Sequence, residues 1–325
     1  MKFEPCPFQL TPQLANLLAS IAEAVGSLSA VSLAKPNPKL RRKNRIQTIQ
    51  ASLAIEGNTL TSEQVTALLD KKRVIGPKQD ILEVQNAIEV YGRLGEFDPF
   101  SLPSFLEAHR ILMRGLVDAP GALRRSAIGV IREGDIFHEA PRWQKMAPMM
   151  ADLFEYLKSS SDHLVFKSCR CHYQLEYIHP FIDGNGRMGR LWQTRVLMQY
   201  HPIFEFLPAE HLIHERQADY YRNLARGDDT GDCTGFIAFN LEQLHRSLEQ
   251  LLEETRSVTL TADDRLAFAR SIFAEATFSR KDYQNRIKSI SSATASRDLQ
   301  HGVEIGWLQR KGDKRTAVYR YVKNR

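Results

Sequence analysis

Residues 179–190, His-Pro-Phe-Ile-Asp-Gly-Asn-Gly-Arg-Met-Gly-Arg, bring a histidine, a carboxylate, a flexible turn and two guanidinium groups into one short run. Gly184 and Gly186 permit the positive φ angles that most residues avoid, and Asn185 tolerates them too. Such a turn points successive backbone N–H groups into one concavity that binds anions. A helix starting near Gly186 adds its N-terminal partial positive charge at the same place. Arg187 and Arg190, three apart, emerge from one face of that helix, and guanidinium forks grip phosphate oxygens in pairs. A diphosphate or triphosphate would satisfy all of these groups. Asp183 would repel it unless a Mg²⁺ ion, or Mn²⁺ in its place, lies between carboxylate and phosphate oxygens. A histidine side chain ordinarily titrates near neutrality, so His179 is suited to take the proton of an attacking hydroxyl. The chemistry these parts add up to is nucleotidyl or phosphoryl transfer.

The elements that must hold this run are helical. Leu14, Leu17, Leu18, Ile21 and Val25 recur at helical spacing after a Thr11 cap and Pro12. A second amphipathic helix runs from about Leu40 to Glu56-Gly57-Asn58, a short one from Thr61 to Leu69, and others over Ile81–Leu94 and Leu102–Leu116. Residues 144–160 and 163–177 are helical, the latter leading directly into His179. Between them, Ile128, Gly129, Val130 and Ile131 lie in a stretch of alternating character, and Glu133-Gly134-Asp135 supplies a turn, so 126–141 is read as a hairpin. Helices resume after Gly186 and around 210–225 and 233–256. Three short helices near 263–276, 279–288 and 292–301, then two strands about a Gly-Asp turn, make the pattern of a winged helix-turn-helix. The expected fold is mainly α, a helical bundle with a short β-hairpin and a C-terminal winged helix-turn-helix. The expected division is 1–98, 99–258 and 259–325.

With 325 residues, 43% hydrophobic and 25% charged, burial of a core is no difficulty. No apolar stretch approaches the ~20 residues that span a bilayer, and the N-terminus lacks a basic region followed by an apolar run, so no membrane and a cytoplasmic location are expected. Cys169 and Cys171 form a C-x-C without a second pair at ligand spacing, which reads as free thiols rather than a metal site. The charge is uneven: residues 260–325 hold 14 Lys/Arg and 7 Asp/Glu, net +7, while the whole chain is only +6. A basic last domain hints at nucleic acid.

The run from His179 to Arg190 resembles the signature of the Fic domain family, H-x-F-x-(D/E)-G-N-G-R-x-x-R, at every fixed position. The helix end Cys171-His172-Tyr173-Gln174-Leu175-Glu176 and the upstream hairpin are similar to the family as well, over roughly 100–250. The resemblance implies a Fic-type bundle that transfers AMP from ATP to a Tyr, Ser or Thr hydroxyl of a target protein. It implies His179 as the base and Asp183 as the ligand of Mg²⁺. The turn amides of Gly184 and Gly186, with Asn185, would hold the α-phosphate, and Arg187 and Arg190 the β and γ phosphates. The hairpin would be a flap that aligns the target by strand pairing. Kinase relatives carry a bulkier residue at the position of Gly186, so the glycine sides with AMP transfer; other nucleotides and CDP-choline stay open. Tyr220 and Tyr221 are the candidate adenine contacts.

Ser52-x-x-x-Glu56-Gly57 resembles the inhibitory motif of the same family, (S/T)-x-x-x-E-(G/N). The resemblance implies that Glu56 pairs with Arg190 and keeps it from the γ-phosphate. Self-modification is then expected once Glu56 is removed. The C-terminal segment resembles winged helices appended to Fic proteins, with 291–300 as recognition helix behind a Ser291 or Ser292 cap, and Arg297, Arg310, Lys311, Lys314 and Arg315 facing phosphates if DNA is the partner. Protein docking or a homodimer is the alternative for that domain. Two other functions stay open: a nucleotide-sensing DNA-binding regulator, and removal of AMP with Glu56 activating water.

Overall fold

The computed structural model describes residues 4–32, 38–132, 135–257, 261–287, 290–313 and 316–322. Its residues divide into two compact units, Met1–Glu253 and Glu254–Arg325. In the first, α1 (Pro12–Ser32) begins with Pro12 at its first position and Thr11 Oγ1 accepting the Leu14 N–H at 3.3 Å. There follow α2 (Pro38–Ala54), α3 (Ser62–Leu69), α4 (Lys78–Gly92), a 3₁₀ turn at Leu94–Glu96 and α5 (Leu102–Leu112). Thr61 and Gln64 close a capping box on α3, and Ser101 caps α5. The strands β1 (Gly129–Arg132) and β2 (Asp135–Glu139) pair antiparallel, Gly129 opposite Glu139, with a shift in register between Val130 and Ile131. Then come α6 (Trp143–Ser159), α7 (Leu164–Ile178), α8 (Asn185–Tyr200), a 3₁₀ turn at Pro202–Phe206, α9 (Ala209–Glu215), α10 (Gln217–Thr230) and α11 (Thr234–Ser257).

The fold is mainly α, a helical bundle with a short hairpin, as the sequence led us to expect. Helix α8 is apolar or buried on nearly every side, so the unit is built around it. Trp192 on α8 is fully buried, edge-on to Phe105 of α5 at 5.1 Å between ring centroids. Its indole N–H donates to Pro99 O at 3.1 Å, and Arg195 Nε to Phe97 O at 2.6 Å, so the segment leading into α5 takes two hydrogen bonds from this buried helix. A second apolar cluster joins Leu14 and Ile21 of α1 to Phe236 and Ile237 of α11. The N-terminal helices share these cores with the later ones. Helix α5 stops at Leu112, four residues before the expected end, and the next glycine, Gly115, takes a φ of +73° that a helix cannot contain.

The second unit contains α12 (Ala262–Phe273), β3 (Phe278–Ser279), α13 (Arg280–Arg286), α14 (Ser292–Glu304), β4 (Leu308–Lys311) and β5 (Val318–Tyr321), with strand order β3-β5-β4. Thr261, Ser279 and Ser291 cap its three helices. Leu266, Phe278, Tyr283 and Leu299 form its own core, beside a buried pair in which Arg265 donates to Asp298 at 2.6 and 2.5 Å. The short strand β3 lies where the sequence pattern gave only a helix boundary. The turn residues Glu133 and Gly134, the wing residues Lys314 and Arg315, and the expected boundary at 258–259 lie outside the described residues.

None of the four cysteines is paired; burial pushes the Cys169 thiol up to about 12. Among the described residues no helix is long and apolar enough to cross a membrane.

Candidate active site

Helices α7 and α8 pack against each other, and residues 179–184 join them. His179 ends α7 in the left-handed region, φ +50°, its N–H still bonded to Leu175 O at 3.0 Å. For a non-glycine residue this is a strained conformation that its surroundings must impose. Arg124 imposes it. Its buried guanidinium donates to His179 O at 2.7 Å, Ile178 O at 3.2 Å, Ser126 O at 2.7 Å and Pro141 O at 2.6 Å, and its own N–H bonds Pro180 O at 2.9 Å. One side chain thus ties the histidine turn to both ends of the hairpin segment. Burial pushes the pKa of this guanidinium below the usual arginine value. His179 Nδ1 lies 3.3 Å from Glu176 O; a carbonyl only accepts, so Nδ1 carries the proton of that bond and Nε2 is the basic nitrogen.

Phe181 is fully buried, stacked on His109 at 3.5 Å. The Asn185 side chain braces the turn from within: Oδ1 accepts the Phe181 N–H at 2.9 Å and Nδ2 donates to Phe181 O at 3.0 Å. His109 supports the next peptide, its Nε2–H donating to Asp183 O at 3.0 Å while Nδ1 accepts the Gly121 N–H at 2.8 Å. Both bonds demand the neutral ring, and burial pushes its pKa down to about 4. Gly184 then takes φ +86°, and a Cβ there would stand 2.7 Å from Met113 Sδ, so glycine is required twice over. Helix α8 starts immediately after, and its first N–H groups have no carbonyl of the helix to bond.

Gly186 marks where an anion would meet these groups. A Cβ on it would lie 2.3 Å from Glu56 Oε1 and 3.1 Å from Arg190 Nη1. Glu56 arrives on the turn that follows α2, and Arg190 holds it there, donating from Nη2 to Glu56 Oε1 and to Ser52 O, both at 2.8 Å, and from Nε to Ser52 Oγ at 3.0 Å. Burial alone would lower the Arg190 pKa, but the Glu56 carboxylate, with Tyr220 and Glu176 beside it, raises it overall, so the charge is secure. Its remaining nitrogen, Nη1, is buried without a hydrogen-bond partner among the described residues.

These groups border an open cleft lined by His179, Asp183, Gly186, Arg190 and Glu56 together with Tyr221, Leu224 and Asp228. Tyr220 and Tyr221 both line the cleft; Tyr220 is otherwise buried, its hydroxyl 3.0 Å from His172 Nε2 and 3.3 Å from Glu176 Oε1, and Tyr221 is half-buried and packs edge-on to it. Burial would raise the Glu176 pKa, but the His172 hydrogen bond and nearby positive charge hold it below the usual carboxylate value.

Arg187 does not border this cleft. Its guanidinium is 5% exposed and held between Glu83 Oε1, on Nη1, and Asp183 Oδ1, on Nη2 at 2.7 Å. The two arginines that the spacing placed on one face therefore serve different walls. Asp183 is half exposed at the rim, and its Oδ1 also accepts the Gly184 N–H at 2.6 Å. Among the described residues no three His, Cys, Asp or Glu side chains gather as a metal cluster. A single exposed carboxylate beside an anion nest fits a Mg²⁺ that takes its other ligands from phosphate and water. Strand β1 contains Gly129, Val130 and Ile131, with Ile128 just before it, and β2 runs near α10.

Arg124, His109, Glu83, Glu176 and Asp228 were not singled out from sequence. Each lies far along the chain from at least one of its partners. For Glu83 alone the sequence held a signal: a run with two arginines and a single acid, Asp183, must draw further counter-charge from elsewhere.

The Fic/DOC family model matches residues 99–197. Two curated relatives, each called "Protein adenylyltransferase Fic", come from Drosophila willistoni and Drosophila grimshawi. Each is 31% identical over 254 residues, which is 73% of this chain and 48% and 49% of theirs. The chain spans about half the length of the curated relatives it matches. A solved Fic family protein from Desulfovibrio desulfuricans G20 is 39% identical with a TM-score of 0.74, and the match covers 99% of both chains. Fic-1 from C. elegans, 20% identical with a TM-score of 0.62 over 75% of this chain and 74% of its own, shares the fold.

Proposed function

The chain belongs to the Fic family, and on that footing we propose that it transfers AMP from ATP to a hydroxyl side chain of a protein, and that Glu56 holds this activity down. The observation that carries the reading is the Glu56 carboxylate resting against Gly186 while Arg190 keeps one buried nitrogen without a partner among the described residues. An acid sits where the nest, the helix terminus and Arg190 all call for a phosphate.

When Glu56 leaves, Arg190 can turn Nη2 and Nη1 to the terminal phosphates, and the amides at the start of α8 face the α-phosphate. The base and sugar lie toward Tyr221, Leu224 and Asp228. The target hydroxyl oxygen attacks the α-phosphorus, the bond from that phosphorus to the bridging oxygen breaks, and diphosphate leaves. His179 Nε2 takes the hydroxyl proton, and Nδ1 keeps its own on Glu176 O, so the ring need not turn during the step. Asp183 would hold Mg²⁺, which when bound offsets the charge of the leaving diphosphate. The hairpin aligns the target segment, and Arg124 fixes that hairpin relative to His179.

We read the second unit as a winged helix. Ser292, Ala293, Arg297 and Gln300 are exposed along the first three turns of its α14, with Val303 and Glu304 exposed at its end, and the small polar and basic side chains of those first turns suit a polyanion such as duplex DNA.

The test of the main reading is intact-mass analysis of the Glu56→Gly protein with ATP and Mg²⁺, alone and with a cell lysate as acceptor. One added AMP per modified chain is expected, and none with Glu56→Gly/His179→Ala. Absence of any AMP adduct on chain or lysate proteins would overturn it.

A further inference from the structure

Arg187 is buried and lies off the cleft, and the residue that faces it from outside the motif is Glu83 of α4, whose side chain is 13% exposed. Glu83 uses both oxygens. Oε1 pairs with Arg187 Nη1, and Oε2 accepts from Asn58 Nδ2 at 2.8 Å. Asn58 stands two residues after Glu56 in the same turn. Its own backbone N–H closes that turn onto Leu53 O at 3.1 Å, and its Oδ1 accepts the Leu60 N–H at 3.1 Å. One carboxylate therefore has one oxygen on the motif helix and the other on the turn that presents Glu56.

A buried guanidinium must keep a counter-charge. Asp183 is a poor sole partner for Arg187, because it is half exposed and is the carboxylate a phosphate-bound metal would engage. Glu83 has no such competing demand. The turn, for its part, depends on Gly57 at φ +95° and on a few backbone bonds. Asp80, one turn earlier on α4, adds a second hold by accepting from Thr59 N and Oγ1 at 2.8 and 2.6 Å.

We propose that Glu83 is a positioning residue for the brake: it locks the Glu56 turn to Arg187, so that the acid on Arg190 is held in place through the neighbouring arginine. The proposal rests on the reading of Glu56 as inhibitory. Neutralising Glu83 should let the turn open more often, with Asp80 retaining it in part.

The experiment compares the full chain with Glu83→Gln, Asn58→Ala, Glu56→Gly and Glu83→Gln/Glu56→Gly, by amide hydrogen exchange over residues 53–60 and by AMP labelling. Glu83→Gln should speed exchange there about tenfold, the lower end for loss of a hydrogen bond to a charged group because Asp80 still holds the turn, and Asn58→Ala by more, since it also loses its bonds with Leu60 N–H and Asp80 O, while peptides of α6 keep their rates. Labelling should rise with Glu83→Gln alone and should not rise beyond the Glu56→Gly level in the double variant. Unchanged exchange over 53–60, or the same rise in labelling with and without Glu56, would overturn the proposal. If Glu83→Gln also speeds exchange in α6, labelling decides: a rise that disappears in the Glu56→Gly background places the effect on the brake, and one that persists there overturns the proposal. Exchange needs no catalysis, so a Glu56→Gly protein that labels nothing defeats the AMP-transfer reading and leaves the Glu83 result to stand or fall separately.

Discussion

Arg190 and Glu56, 134 residues apart in sequence, meet at 2.8 Å beside Gly186 in the first turn of α8. Ser52 contributes its hydroxyl and its carbonyl to the same guanidinium, so three of the acceptors around Arg190 come from one stretch of α2 and its turn. Under the proposed function, an internal acid and an external anion compete at this contact for one charge.

Glu56→Gly should therefore raise AMP incorporation about tenfold to a hundredfold. A hydrogen bond to a buried charge contributes about 1.5–3 kcal/mol, and each 1.4 kcal/mol is a factor of ten. Label from α-³²P-ATP over time, with His179→Ala as the blank, measures it.

Gly186→Ala, placed in the Glu56→Gly protein, should weaken ATP binding by about tenfold or more, since a Cβ would enter the nest 3.1 Å from Arg190 Nη1. Calorimetric titration with ATP reads this directly. Equal affinity in the two proteins would remove the turn from the phosphate site.

Arg124→Ala should cost about 3 kcal/mol of stability, because it strips four carbonyls of a buried donor and releases His179 from its left-handed conformation. Urea melts give the stability. In the Glu56→Gly background, Arg124→Lys should keep ATP affinity and lower the transfer rate, because the disturbance falls on His179 and the hairpin rather than on the nest.

His109 gives the fold an acid limit. Its pKa is about 4 in the folded protein against 6.5 when exposed, so the unfolded chain binds more protons between those values. The stability this contributes is fully present above pH 6.5 and is lost as pH falls toward 4, on the order of 3 kcal/mol in all. Denaturant melts at pH 7, 6, 5 and 4 should show that slope, and His109→Gln should flatten it.

For the second unit, duplex DNA should bind with an affinity that falls as salt rises, and Arg297→Ala should weaken binding about fivefold through one lost phosphate contact. Fluorescence anisotropy at two salt concentrations distinguishes this from a surface that docks protein, which would leave DNA unbound.

Much of the site was legible because its chemistry is local. Twelve consecutive residues make the turn, its glycines and the start of α8, since positive φ at Gly184 and a helix N-terminus depend on neighbours in sequence. The helical pattern likewise follows from spacing and from caps such as Thr61 and Ser101. The tertiary structure decided what no local rule contains. Arg187 and Arg190 share one helix, yet Glu83 draws the first off the cleft and Glu56 holds the second beside it, because a buried cation goes where its counter-charge is. Asn185, read as a phosphate ligand, spends its side chain on Phe181, because the peptide groups of a tight turn must be satisfied before any ligand arrives. His179 keeps its angle through Arg124, which no spacing rule could have linked to it.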